Sequence, residues 1–220
     1  MNKLPTPATA IEQAEKIQHY YQWQSKIYDL TRWSFLFGRN SILSPVPLDA
    51  NEAWNIMEVG CGTGFNLQNL AKRFPKAHLT GVDVSPDMLR IARQNNSPHL
   101  DRISFINAPY GPGGFHSPGQ LDFILFSYAL TMINPQWPSL IQQAFDDLKP
   151  GGYIAVVDFH DSRFSWFKKH MGNHHVRMDG HLLPCLSKHF QPIQSQCKAA
   201  YGGVWTYLIY VGKKAVPPID

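Results

Sequence analysis

Residues Met57-Glu58-Val59-Gly60-Cys61-Gly62-Thr63-Gly64 join an apolar run to a glycine-rich turn that opens a helical pattern. Glycines in such a turn let the backbone bend sharply and let a ligand approach the main chain closely. A strand ending in this way ahead of a helix is the opening unit of an α/β sheet that binds a nucleotide or nucleoside.

The pattern continues downstream. Short runs rich in Ile, Val, Leu and Phe predict strands at Trp54–Val59, His78–Val84, Ile103–Asn107, Leu121–Tyr128 and Tyr153–Phe159, as parallel strands buried on both faces require. Helices are predicted between them. Phe65–Phe74 carries apolar residues at 67, 70, 71 and 74. Pro86–Gln94 opens with Ser85 as N-cap and proline at the first helical position. Trp137–Leu148 stops at Lys149-Pro150-Gly151-Gly152, read as a turn. Gln191–Ala200 and Val204–Val211 read as an antiparallel hairpin joined through Tyr201-Gly202-Gly203. The expected fold is α/β: a Rossmann-like, doubly wound, mostly parallel sheet closed by a C-terminal antiparallel hairpin.

The first 50 residues differ in style. Thr9–Phe37 reads as one or two helices and holds seven aromatics between Tyr20 and Phe37, and Ser44-Pro45-Val46-Pro47 ends it. This divides the chain into an N-terminal helical lid, residues 1–50, and a ligand-binding domain, residues 51–220.

Two details separate the glycine loop from a dinucleotide site. The fingerprint G-x-G-x-x-G/A asks for a small residue where this chain has Phe65. Glu58, just before the loop, disfavours a pyrophosphate and favours a ligand bearing ammonium and sulfonium charges. Asp83 lies nineteen residues after Gly64, at the end of the next strand. That spacing sets its carboxylate beside the loop, where it can accept from both ribose hydroxyls; Ser85 is better placed to cap the following helix.

These residues resemble the class I, seven-stranded S-adenosylmethionine-dependent methyltransferases over Trp54 to Lys213. The matching pieces are Glu58–Gly64, Asp83, Leu148-Lys149-Pro150-Gly151-Gly152 and the final hairpin. The resemblance implies S-adenosylmethionine as cofactor. Glu58 and the backbone of Gly60, Cys61, Gly62 and Gly64 would hold its methionyl part, Asp83 its ribose, and Val84, Met88 and Ala108 would surround the adenine, with Ser127 at the end of the fourth strand. Many members carry an acidic residue next to position 108; here the run is Asn107-Ala108-Pro109, which turns the adenine amino contact over to a backbone carbonyl. A narrower resemblance is to bacterial methyltransferases of lipid head-group amines, the betaine-lipid type. It rests on Tyr20-Tyr21-x-Trp23, Ile27–Trp33, Phe37-Gly38-Arg39, Ser127–Ile133 and Arg177–Leu183.

Methyl transfer is an in-line displacement that gains from positioning, exclusion of water and a deprotonated acceptor. The N-terminal aromatics suit a methylated or cationic amine through cation–π contacts, though most of them also read as the apolar face of a packed helix. Tyr28, a candidate catalytic residue, and Arg32 are the chosen exceptions, Tyr20 is counted with the substrate residues, and Arg32 and Arg39 could meet a carboxylate or phosphate. Tyr128 borders the transferred methyl or packs, and Arg177 joins the substrate residues. Six of the ten histidines fall between His160 and His189, after the fifth strand, where ligands of open α/β sheets sit. Their spacing fits no standard zinc pattern, so no metal is expected. His160 and His175 are the candidate bases. The glycine- and proline-rich loop 109–119 forms a wall of the site, and Cys61 packs.

The net charge of +4 permits contact with an anionic membrane or an acidic substrate and is too small to argue for nucleic acid. Three cysteines, Cys61, Cys185 and Cys197, form no CxxC pair. Residues Met1–Lys16 lack the apolar stretch of a secretory signal, and no apolar run reaches bilayer length. The expected setting is the cytoplasm, with optional contact at the inner membrane face and no oligomeric state set by sequence. The expected function is methylation of an amine on a small molecule or lipid head group. Alternatives are transfer to oxygen, sulfur or carbon of a metabolite or quinone precursor, and a catalytically inactive nucleoside-binding module.

Overall fold

The computed structural model describes residues 36–173 and 175–216. Seven strands form one sheet: β1 (Asn55–Val59), β2 (His78–Asp83), β3 (Ile103–Asn107), β4 (Leu121–Ser127), β5 (Leu148–Asp161), β6 (Gln191–Ala200) and β7 (Trp205–Lys213). The spatial order is β3-β2-β1-β4-β5-β7-β6. The first five strands pair in parallel, while β7 runs antiparallel to both β5 and β6. Helices α1 (Phe65–Arg73), α2 (Pro86–Asn95), α3 (Trp137–Asp147), α4 (Ser165–Asn173) and α5 (Leu182–His189) complete the unit. The mostly parallel sheet with its C-terminal hairpin is the fold expected from the sequence.

Alternation along the strands splits the core into two layers. Phe123 and Leu125 of β4, with Ala155 and Val157 of β5, pack under Leu67 and Leu70 of α1, Leu89 of α2 and Phe167 of α4. Ile124, Phe126, Ile154 and Val156 face Leu140, Ile141 and Ala144 of α3, and Leu182 and Leu186 of α5. Both faces of the central strands are therefore dry, which is why they read as continuous apolar runs.

Ile42, Leu43 and Val46 are buried in the same layer as α1. Arg73, at the end of α1, donates to the carbonyls of Leu43 and Val46. Residues 37–45 form turns, so the helix predicted up to Phe37 does not include Leu36 and Phe37. Its remainder, with Tyr20, Tyr28 and Arg32, lies outside the described residues.

Two local expectations are corrected. Lys149–Gly152 is not a free turn, because β5 begins at Leu148 and absorbs these residues through a register shift against β4. Gly151 N–H donates to the Lys214 carbonyl and Lys214 N–H to that of Gly152, so sheet pairing holds the glycines. The stretch between β5 and β6 contains α4 and α5, which the sequence reading did not foresee.

Candidate active site

The glycine loop leaves β1 and turns back onto β2, with Gly60 N–H and Cys61 N–H both donating to the Val82 carbonyl at 2.8 and 3.1 Å. Gly60, Gly62 and Gly64 all have positive φ, at 69°, 53° and 76°. Gly64 is the N-cap of α1, and a Cβ built there falls 2.4 Å from Asn96 Nδ2 and 3.1 Å from Ala92 Cβ. The close approach of helix and loop is thus made by Gly64. This frees position 65 for the half-buried ring of Phe65, over which the Arg39 guanidinium sits at 4.5 Å.

Carboxamides on the helices hold the loop. Asn96, fully buried just past α2, donates to the Gly64 carbonyl at 3.1 Å and to that of Ala92 at 2.8 Å. Its neighbour Asn95 donates to the Thr63 carbonyl at 3.0 Å. On α1, buried Asn66 donates to Glu58 Oε1 at 2.6 Å, fixing a carboxylate that is 1% exposed under the loop. The sequence reading passed over all three asparagines. Asn66 left a signal, since it stands four residues before Leu70 on the apolar stripe of α1.

Asp83 closes the other side. One carboxylate oxygen accepts from Gly62 N–H at 2.8 Å and the other from Ser85 N–H at 2.9 Å. A negative charge therefore faces the loop at the carboxyl ends of β1 and β2, where open α/β sheets bind ligands. Ser85 caps α2 through a bond from Met88 N–H at 3.3 Å, as its position predicted. Met88 is buried and Val84 and Ala108 are half-buried. Asn107 Nδ2 donates to the Asp83 carbonyl, tying β3 to the same rim. Cys61 is buried against Gly81 in the α1 layer. Ser127, at the end of β4, buries its Oγ without a hydrogen-bond partner among the described residues. Two buried or partly buried carboxylates and an unsatisfied hydroxyl fit a ligand that carries ammonium and sulfonium charges and a sugar diol, and they oppose a pyrophosphate.

Beyond β4 and β5 lie the residues that the sequence assigned to a substrate. Tyr128 adopts the left-handed conformation, φ 55°, and is 3% exposed. Its hydroxyl donates to the Phe37 carbonyl at 2.8 Å and its ring meets Phe159 edge-on. Asp158 is wholly buried. It accepts from the Thr131 hydroxyl at 2.5 Å, from Thr131 N–H and from Phe159 N–H, and so anchors the short turn Leu130–Met132 that follows β4. Burial pushes its pKa up to about 6, against the pull of those hydrogen bonds.

The histidines separate. His175 is exposed with φ 61°, and its carbonyl accepts from Asn134. His160, at the end of β5, is half-buried, and its Nδ1 has no hydrogen-bond partner among the described residues; burial lowers its pKa, with Asp161 opposing. Arg177 is exposed, paired with Asp179 at 2.8 Å and set 5.9 Å from the Trp137 ring. Among the described residues, no group of three or more His, Cys, Asp or Glu is arranged to hold a metal ion, and no helix is long and apolar enough to cross a membrane.

Residues 56–152 match the family model described as a methyltransferase domain. A trans-aconitate 2-methyltransferase of Paracidovorax citrulli is 34% identical over 117 residues, 53% of this chain and 42% of that protein. A malonyl-[acyl-carrier protein] O-methyltransferase of Priestia megaterium is 32% identical over 114 residues, 52% of this chain and 40% of that protein. The chain spans about two fifths of the length of these curated relatives. Among solved structures, the Burkholderia thailandensis 1,6-didemethyltoxoflavin-N1-methyltransferase, with its substrate and S-adenosylhomocysteine bound, superposes with a TM-score of 0.66 at 15% identity, covering 98% of this chain and 93% of that one.

Proposed function

We propose that this chain, residues 56–152 of which match a methyltransferase-domain family model, is a class I S-adenosylmethionine-dependent methyltransferase acting on an amine. The observation that carries the reading is the Asp83 carboxylate turned onto the Gly62 amide, with buried Glu58 beneath the same loop. Glu58 and the loop backbone would hold the methionyl end, Asp83 the ribose, and Val84, Met88 and Ala108 the adenine. The cofactor supplies an electrophilic methyl on sulfonium sulfur. The protein's part is to fix donor and acceptor in line and to exclude water.

The amine reading in its narrowest form takes a lipid head group, with Tyr20, Tyr28 and Arg32 around it and a net charge of +4 favouring an anionic membrane. A second reading is transfer to a carboxylate oxygen. It is favoured by the relative named for trans-aconitate, an anion that Arg39 or Arg177 would attract.

Calorimetry of the full chain with S-adenosylmethionine and with NAD tests the cofactor: the first should bind and the second should not, and absence of the first binding removes the proposal. Mass spectrometry of lipid and metabolite extracts incubated with methyl-labelled cofactor tests the acceptor. Label in a carboxylic ester and in no amine would replace the amine reading with the second. Label confined to soluble compounds, with no sedimentation on anionic vesicles, would end the lipid form.

A further inference from the structure

The segment from Val176 to His181 crosses the carboxyl ends of β4 and β5. Arg177 N–H donates to the Thr131 carbonyl at 3.0 Å and Gly180 N–H to the His160 carbonyl at 2.9 Å. The segment delivers His181 to the start of α5, with its ring 4.6 Å from that of Trp137 and its side chain only 7% exposed. His181 Nδ1 lies 2.5 Å from Asp179 Oδ1, while Asp179 Oδ2 accepts from Arg177 Nε at 2.8 Å.

The tautomer follows from this geometry. Burial works against the Asp179 charge, but the bonds from Arg177 and His181 outweigh it and hold the carboxyl below its ordinary range, so it is ionised. An ionised carboxylate only accepts, so the proton between the two groups sits on Nδ1. In a neutral imidazole the other nitrogen then carries a bare lone pair. His181 Nε2 is that nitrogen; it is buried and has no hydrogen-bond partner among the described residues. His160 Nδ1, on the neighbouring strand end, is buried and likewise has no partner among the described residues.

We propose that His181, oriented by Asp179, is the general base of the transfer, and that the acceptor is a compound with an N–H or O–H to lose. The proposal rests on the methyltransferase reading. The acceptor lone pair forms the bond to the methyl carbon while the carbon–sulfur bond breaks, its electron pair remaining on sulfur. The acceptor proton moves to His181 Nε2, and Asp179 stabilises the imidazolium until it releases that proton to solvent. A carboxylate acceptor has no such proton and would leave the pair idle. The charged and titratable groups facing His181 are Asp179, Arg177 and His160. Burial holds the imidazole below its ordinary value, Asp179 opposes this, and Arg177 and His160 add to it, so the base form persists at neutral pH.

The test uses the full chain, methyl-labelled S-adenosylmethionine and protein-free bacterial extracts as acceptor source. His181→Asn keeps a donor toward Asp179 and lacks the second nitrogen. It should lose about 100-fold or more of turnover and the acid limb of the pH profile, with calorimetric affinity for the cofactor unchanged. Wild-type turnover and an unaltered profile in this variant would overturn the base while leaving the methyltransferase reading intact. A wild-type protein that neither binds the cofactor nor moves label would sink both. Long-range proton–nitrogen NMR of the wild-type chain is independent of activity: a bare Nε2 on His181 is expected, and a protonated Nε2 with bare Nδ1 refutes the proposal.

Discussion

Asn96 donates its amide to the Gly64 carbonyl at 3.1 Å, so the end of α2 clamps the start of α1 across the glycine loop. The two residues fit so closely that a Cβ at 64 would fall 2.4 Å from the Asn96 nitrogen. Gly64→Ala should therefore combine this clash with left-handed strain of about 1–2 kcal/mol. Calorimetry should show at least tenfold weaker S-adenosylmethionine binding, and the double variant Gly64→Ala/Asn96→Ala should recover part of the lost melting temperature.

Asp83→Asn sets an amide NH2 against either the Gly62 or the Ser85 N–H, both of which now donate to the carboxylate. It also removes the charge facing the loop. Cofactor affinity should fall by more than about tenfold, a loss of at least 1.4 kcal/mol, and the melting temperature should fall as well, because one of those two backbone bonds is lost.

Tyr128→Phe takes the hydroxyl partner from the Phe37 carbonyl. A net hydrogen bond of this kind contributes about 1 kcal/mol. The loss should appear as faster amide exchange in residues 36–45, whose Ile42 and Leu43 otherwise anchor them on α1, with the β4 and β5 amides unaffected.

Asp158 binds its proton more tightly in the folded protein, pKa about 6, than in the unfolded chain, where the ordinary value is 3.8. Its stabilising contribution is complete below the lower value and is lost as pH rises through the upper one. Urea unfolding should show stability declining between about pH 4 and pH 6 and levelling off above. Asp158→Asn should flatten that decline and lower stability at the acid end.

The strands and the glycine loop were legible because their signals are local. The predicted spans 103–107 and 191–200 coincide with β3 and β6, and Ser85-Pro86 capped α2 as its residue types require. α5 was hidden by its own residues: Pro184 falls in its first turn, where proline is tolerated, and Gly180 just before it reads as a loop. The Lys149–Gly152 turn failed for another reason, since its pairing partner, Lys214, lies more than sixty residues away. His181 was grouped with the other histidines as a substrate-lining or metal candidate. The Asp-x-His spacing at 179–181 was the available sign of the pair, although only the packing of Trp137 and the cover over Nε2 give that spacing meaning.

Because β7 lies between β5 and β6, the chain is translated in a different order from the one in which the sheet must close. Until β7 is in place β6 has no strand to pair with, and the flank of β5, with Val156 and Val157 wholly buried in the finished protein, is bare. A sheet in that condition exposes a sticky margin, and a chain released after Ala200 should be a client of hydrophobic-binding chaperones in a way that a chain released after Lys213 is not.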